Sequence, residues 1–394
     1  MQTHDTFAAS ERGRVRITAL KALQLKQHCQ SLIKVETDAG LYGLGEAGVS
    51  GPVARAQLLN LEPLLLGQDP LDIERLYNTM VYQMHPYMAD IPTISGVDIA
   101  LWDLAGKILG RPVSALLRGQ YRTEVPLYIN TAGPTDWFDA GACRAWAEEI
   151  KAQEHDWQTI KLGFERLVGH QLPAQRYRAG QLGQMLRSSE LSIIREGYEH
   201  CREALGYDID IIVHCHNEWD LPTAIGLTEA LEPIRPLWLE DLLPVTYSDS
   251  WLALKRAART RIITGEKLEL PREFLPFLQH QAVDVIHPDL VYAGGLTGCW
   301  KIAELAELFY IPIATHNIGT LVQTMATAHF AASVRNFVAT ETRISQGALI
   351  EEMGTEPPQV IGGKLQVPTG PGLGIELQPD VLRANLRDGE PFWD

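Results

Sequence analysis

The sequence predicts an α/β protein built on a closed (β/α) barrel, preceded by an α+β region. Three observations point there. Short apolar stretches alternate with amphipathic ones after the segment VPLYINTAG, no glycine-rich phosphate loop interrupts the series, and nearly every apolar stretch ends in a charged or titratable residue. Repeated strand–helix units imply a parallel sheet, and six or more in series favour closure over an open sheet.

Taken in order, residues 14–49 read as a β-meander. RVRITALKALQLK and SLIKVETDAGLYGLGEA are rich in strand formers and are joined at Asp38-Ala39-Gly40. From Val53 to about Met84 apolar residues recur at helical spacing. A further helix, GVDIALWDLAGKILG, closes at Gly110 with Pro112 just beyond, a C-terminal signal. Then come the barrel strands QTIKLG, DIDIIVHCH, LWLED, RIITGEKL, AVDVIHPDL and IPIATHN, each followed by a helical stretch. The segment GFERLVGHQLPAQRYRAGQLGQMLRSSELS is longer than one helix needs and is expected to add a loop over the barrel mouth or an oligomer contact. The tail GGKLQVPTGPGLGIEL, rich in Gly and Pro, reads as a strand and turns packed on another domain.

Bulk properties narrow the class. A chain of 394 residues exceeds one ordinary core. The net charge of −15 argues against a nucleic-acid partner, and an anionic substrate would need a local cation. No apolar run approaches the roughly 18 residues of a membrane span. The start lacks the apolar core of a secretory signal, and the five scattered cysteines form no CxxC pair. A cytoplasmic protein with reduced thiols is expected.

In a (β/α) barrel the chemistry sits at the C-terminal strand ends. Those ends carry Lys161, His214 and His216, Glu240 and Asp241, Glu266, Asp289, and His316. Alternation along IIVHCHN would put both histidines on one face, as metal ligands, proton carriers or hydrogen-bonded core residues. One buried glutamate is readily a satisfied ion pair, but a titratable group once per unit is a poor match to chance. Glu240 and Glu266 offer hard oxygens for a divalent cation, with His214 as the third ligand. Lys161 and His316 flank that group as candidate bases, and Asp289 could orient the His316 imidazole.

The motifs GLGEAG, SGVDIALWDLAGKILGRPVSALLRG, WLED, ITGEKL, HPDLVYAGGLTG, PIATHN and GPGLGIEL span nearly the whole chain in order. Through them the chain resembles the enolase superfamily, in its mandelate racemase-like branch and most of all its acid-sugar dehydratases. The resemblance implies a (β/α)7β TIM-like barrel over residues 126–359 and an α+β capping domain over 1–125, completed by the tail from about 360 to 394. It implies metal-assisted abstraction of the proton α to a carboxylate; one divalent cation (Mg²⁺, with Mn²⁺ or a softer ion as the alternative because of His214) and a homo-oligomer are expected. Glu341, in FVATETR, matches the position that hydrogen-bonds the far carboxylate oxygen; an ion pair with Arg343 is its bland alternative.

Three positions depart from or refine that pattern. Where the family usually has an Asp as first ligand, this chain has His214, which removes a negative charge and favours softer ions. A site that has lost its metal is the alternative. In the dehydratases a histidine at the place of His216 acts as the general acid on the leaving hydroxyl, whereas racemases more often carry Asn. A second metal ligand or a hydrogen-bonded strand-end residue is the other reading of His216. The usual Lys-x-Lys pair is Thr159 and Lys161, leaving Lys161 as base or as cation and His316 as an equally good base. Residues 26–29 and 83–90 are expected to read the substrate, with His28 and His85 foremost, while His287 is expected to be structural. The expected activity is dehydration of an aldonate or aldarate to a 2-keto-3-deoxy acid. A racemase or epimerase, and a non-catalytic ligand binder, are the alternatives.

Overall fold

The chain opens with a three-stranded antiparallel meander, β1 (Ile17–Leu23), β2 (Ser31–Thr37) and β3 (Tyr42–Ala47). The computed structural model describes residues 14–83, 85, 88–165, 167, 168, 185–347 and 349–393. Helices α1 (Gly51–Leu65) and α3 (Ile91–Leu109) pack on the meander, α2 (Ile73–Tyr82) packs on those two helices, and the short α4 (Val113–Leu116) follows. The glycines of GLGEAG explain how closely α3 approaches. A Cβ on Gly43 or Gly45 would lie 1.9 Å from the carbonyl oxygen of Ala100 or Gly96, so only Gly fits there. Gly110 closes α3 in the left-handed conformation, as its position after the last apolar turn predicts.

Eight parallel strands then close a barrel: β4 (Glu124–Thr131), β5 (Thr159–Gly163), β6 (Asp210–His214), β7 (Trp238–Glu240), β8 (Ile262–Thr264), β9 (Val285–Ile286), β10 (Ile313–Thr315) and β11 (Phe337–Thr342). Strand β11 pairs with β4 to complete the ring. The connecting helices are α5 (Ala140–Lys151), α6 (Ser188–Leu205), α7 (Leu221–Leu231), α8 (Asp249–Ala257), α9 (Leu270–Gln279), α10 (Gly295–Leu308) and α11 (Leu321–Ser333). Tyr128, Ile212, Trp238, Ile263, Val285, Ala314 and Ala339 fill the barrel interior as one apolar layer. Side chains alternate along a strand, so residues two positions further on point inward one layer nearer the C-terminal mouth. Asn130, His214, Glu240, His287, His316 and Glu341 are those residues, with Gly265, which has no side chain, at the seventh place.

The N-terminal region docks on the barrel through buried carboxylates at helix N-termini, where free backbone N–H groups favour negative charge. Asp98 of α3 accepts from the Thr297 backbone N–H at the start of α10 at 2.9 Å. Glu46 of β3 accepts from the Thr320 and Gln323 backbone N–H groups and the Thr320 hydroxyl at the start of α11, at 2.6–3.1 Å. The tail first forms a hairpin, β12 (Val360–Ile361) and β13 (Lys364–Gln366), whose second strand pairs antiparallel with residues 124–126 of β4. It then crosses α3, where Asp103 accepts from the Leu373 backbone N–H at 2.7 Å, and ends beside β1, with Arg387 bonded to Gln24. Among the described residues no helix is long and apolar enough to cross a membrane. Most of the expected loop after β5 (residues 169–184) and three residues of the expected specificity loop (Met84, Pro86 and Tyr87) lie outside the described residues.

Candidate active site

A cavity of about 770 Å³ opens at the C-terminal mouth of the barrel, lined by Lys161, His214, His216, Glu266, His316 and Glu341 among others. The strand ends gather Lys161, His214, His216, Glu240, Glu266, Asp289, His316 and Glu341 within or directly beneath it. Ligand atoms of His214, Glu240, Asp241 and Glu266 all lie within 4.8 Å of one another. In these residues His214 Nε2, Glu240 Oε2 and Glu266 Oε2 are buried with no hydrogen-bond partner among the described residues. Each would cost roughly 1–3 kcal/mol if nothing met it. Asp241 differs. Its carboxylate accepts from Thr264 at 2.6 Å and Lys267 at 3.4 Å, and burial pushes its carboxyl up to about 7. Burial also pushes the His214 imidazole far below its ordinary value, which keeps it neutral and able to ligate. The set therefore fits one divalent cation, with three open donors at His214, Glu240 and Glu266.

Lys161 lies deep between two carboxylates, donating to Glu240 Oε1 at 2.8 Å and Glu341 Oε2 at 2.9 Å. Burial alone would lower its pKa, but Glu240, Glu341 and Glu266 outweigh burial and raise it. Glu341 is fully buried and also accepts from Asn130; Arg343 turns instead to the Ile318 carbonyl at 3.4 Å. His287 sits on the floor, with Nε2 2.9 Å from the Tyr128 hydroxyl and 3.9 Å from Glu240.

His316 Nδ1 meets Asp289 Oδ2 at 2.6 Å, and the other oxygen of Asp289 accepts from Gln323 Nε2 at 2.7 Å and the Val291 backbone N–H at 2.8 Å. An ionised carboxylate only accepts, so Nδ1 donates and Nε2 is left toward the cavity. Nε2 is 3.4 Å from Glu266 and 3.7 Å from Glu341. Burial pulls the imidazole pKa down, but Glu266, Glu341 and Asp289 outweigh it and hold it at about 10.

His216 reaches the same mouth by another route. Strand β6 ends at His214, and His216 follows with φ 56° and Asn217 with φ 62°, both left-handed. A turn, and not strand alternation, therefore brings the two imidazoles together, stacked 3.7 Å apart. His216 Nδ1 bonds Glu165 Oε1 at 2.6 Å. Burial alone would raise the Glu165 carboxyl, but its contact with His216 outweighs that and holds it low.

Sequence reasoning missed Glu165, Gln323, Asn130 and Lys267. Only Lys267 carried a signal, as the cation next to Glu266 in ITGEKL. Of the residues expected to read the substrate, neither His28 nor His85 lines the cavity; Pro92, just past the second loop, does. His28 is folded inward, where Gln24 donates to its carbonyl at 2.8 Å.

Comparison with known proteins identifies the family and the fold. Residues 10–118 match the mandelate racemase / muconate lactonizing enzyme N-terminal domain, and residues 144–381 match the enolase C-terminal domain-like family. D-xylonate dehydratase of Haloferax volcanii is 34% identical over 367 residues, covering 92% of this chain and 87% of that protein. D-gluconate dehydratase of Thermoproteus tenax is 28% identical over 385 residues, covering 92% and 72%. A mandelate racemase/muconate lactonizing enzyme-like protein from Rubrobacter xylanophilus superposes with a TM-score of 0.86 at 30% identity, covering 96% of this chain and 99% of that one. An enolase structure from Agrobacterium radiobacter, with sodium and L-malate bound, has a TM-score of 0.83 at 27% identity, covering 94% and 95%. With both domains matched and the strand-end carboxylates of the barrel in place, the chain belongs to the enolase superfamily, in its mandelate racemase / muconate lactonizing enzyme branch.

Proposed function

We propose that this protein is a hydro-lyase that dehydrates an aldonate or aldarate to its 2-keto-3-deoxy acid. One observation carries the reading: imidazoles following β6 and β10 line one cavity, each tied through Nδ1 to a carboxylate, with open ligand atoms on His214 and Glu266 in its lining and on the buried Glu240. Strands β6 and β10 are four apart in either direction around an eight-stranded ring, so the two imidazoles approach from opposite walls. Loss of water across C2–C3 needs a base for one carbon and an acid for the leaving hydroxyl of the other.

In this reading His316 takes the C2 proton at Nε2, with Asp289 fixing the ring. His216 delivers a proton to the C3 hydroxyl as it leaves. Lys161 serves as a cation for the substrate carboxylate, held in place between Glu240 and Glu341. His214, Glu240 and Glu266 would hold a divalent cation, Mg²⁺ first and Mn²⁺ or a softer ion because of His214. That cation would offset the charge building on the substrate carboxylate, worth several kcal/mol, and also the carboxylate field that keeps His316 protonated.

The test is incubation with a panel of aldonates and aldarates and Mg²⁺ or Mn²⁺, assayed for 2-keto-3-deoxy acid. Product from at least one acid is expected. Exchange of the C2 proton with D₂O and no product, across the panel, would replace the dehydratase by a racemase. Neither exchange nor product, with no metal bound at saturating Mn²⁺, would replace it by a ligand binder.

A further inference from the structure

We propose that Glu165 is the positioning residue for His216, holding its ring so that one chosen nitrogen faces the substrate; this deepens the dehydratase reading and rests on it. The chain is anchored on both sides of the contact. Phe164, next to Glu165, is buried and stacks on Trp219 from the loop after β6, with ring centroids 5.9 Å apart. His216 and Asn217 hold left-handed backbone, which costs a residue with a Cβ on the order of 1–3 kcal/mol and persists only where the surroundings fix it. Asn217 supplies that fixation, donating to the Leu243 carbonyl at 2.7 Å and accepting from Lys267 at 2.9 Å.

What the backbone leaves free is rotation of the ring. Glu165 removes it. The carboxylate accepts from Nδ1 at 2.6 Å, and one ring face lies against His214. Nδ1 keeps its hydrogen on Glu165 in the neutral and the protonated ring alike, because an ionised carboxylate has no hydrogen to give, and the proton delivered to the hydroxyl is the one on Nε2 of the protonated ring. Only Nε2 is then left for a substrate hydroxyl. Glu165 itself is only partly buried, with 28% of its side chain exposed, so its removal leaves the barrel core intact.

The experiment compares Glu165→Ala and Glu165→Gln with the wild type, each also in a His216→Asn background. The Ala variant should lower dehydration about 10- to 100-fold while C2 deuterium exchange is unchanged. The Gln variant, whose amide oxygen still accepts from Nδ1, should recover most of the rate. In the His216→Asn background neither substitution should have a further effect, since the two residues act as one unit. Equal loss of exchange and dehydration in Glu165→Ala, full dehydration there, or an additional loss in the His216→Asn background would overturn the proposal. Nitrogen-15 NMR of the His216 ring at alkaline pH decides the same point without turnover. The Nδ1–H tautomer in the wild type and its loss in Glu165→Ala support positioning; an unchanged tautomer overturns it. A wild type that dehydrates no acid sugar while keeping that tautomer would sink the dehydratase reading alone.

Discussion

Asp289–His316 and Glu165–His216 have the same 2.6 Å contact and are built in opposite ways. In the first, the side chains of aspartate and histidine are 0% and 9% exposed; in the second, glutamate and histidine are 28% and 32% exposed. Asp289 is held from three directions, by His316, Gln323 and the Val291 backbone. Gln323 is in turn held by its backbone N–H to Glu46, so the inner pair is tied to the N-terminal region across 277 residues of sequence. The outer pair is held by its neighbours instead: the His216 ring stacks on His214, and Phe164 and Asn217 fix the backbone on either side of the contact. The difference fits the chemistry each pair is proposed to do. Removing a weakly acidic C2 proton demands a fixed, water-poor base, whereas a departing hydroxyl can meet a donor nearer the open mouth.

The comparison can be broken most severely at the inner pair. His316→Asn should lower both C2 exchange and dehydration, by about 10²–10⁴-fold, since both need the base. Steady-state kinetics and proton NMR in D₂O measure the two; surviving exchange would hand the base role to another residue. Next in size is Gln323→Leu, which strips one donor from Asp289. It should lower kcat about 10- to 100-fold with KM little changed, and leave the ratio of exchange to dehydration where it was. A shift in that ratio would mean that the inner pair also serves the leaving group. Smallest is His214→Asp, which restores a negative charge among the open ligand atoms and takes away the ring on which His216 stacks. Calorimetry should show Mg²⁺ binding tighter by roughly tenfold, about 1.4 kcal/mol. Dehydration should change relative to exchange, because only the outer pair loses a neighbour.

The same contrast explains what could be read from sequence. The barrel and its ring of strand-end groups were legible because strand alternation and the strand–helix repeat are periodic, so Glu240, Glu266, Asp289 and His316 fall at predictable places. His214 was legible for the same reason, as the last residue of an apolar strand. His216 was readable as a residue and not as a geometry, since no pattern in VHCHN announces left-handed backbone at two successive positions. Glu165 was hidden in a polar segment where one glutamate looks like the next. Gln323 and Asn130 sit where helices and strands carry polar residues for ordinary reasons, and their contacts span 34 and 211 residues of sequence. Lys161 was legible as a strand end, but its double contact with Glu240 and Glu341 depends on strands that meet only when the barrel closes.

The central claim is that one imidazole removes the C2 proton and the other, across the barrel, releases the hydroxyl. The most direct test is His216→Asn incubated with a turned-over acid sugar in D₂O, followed by proton NMR for deuterium at C2 and for the 2-keto-3-deoxy product. The account predicts that deuterium still enters C2 while product formation falls by about 10²–10⁴-fold. Loss of both signals together, or survival of both, would contradict it.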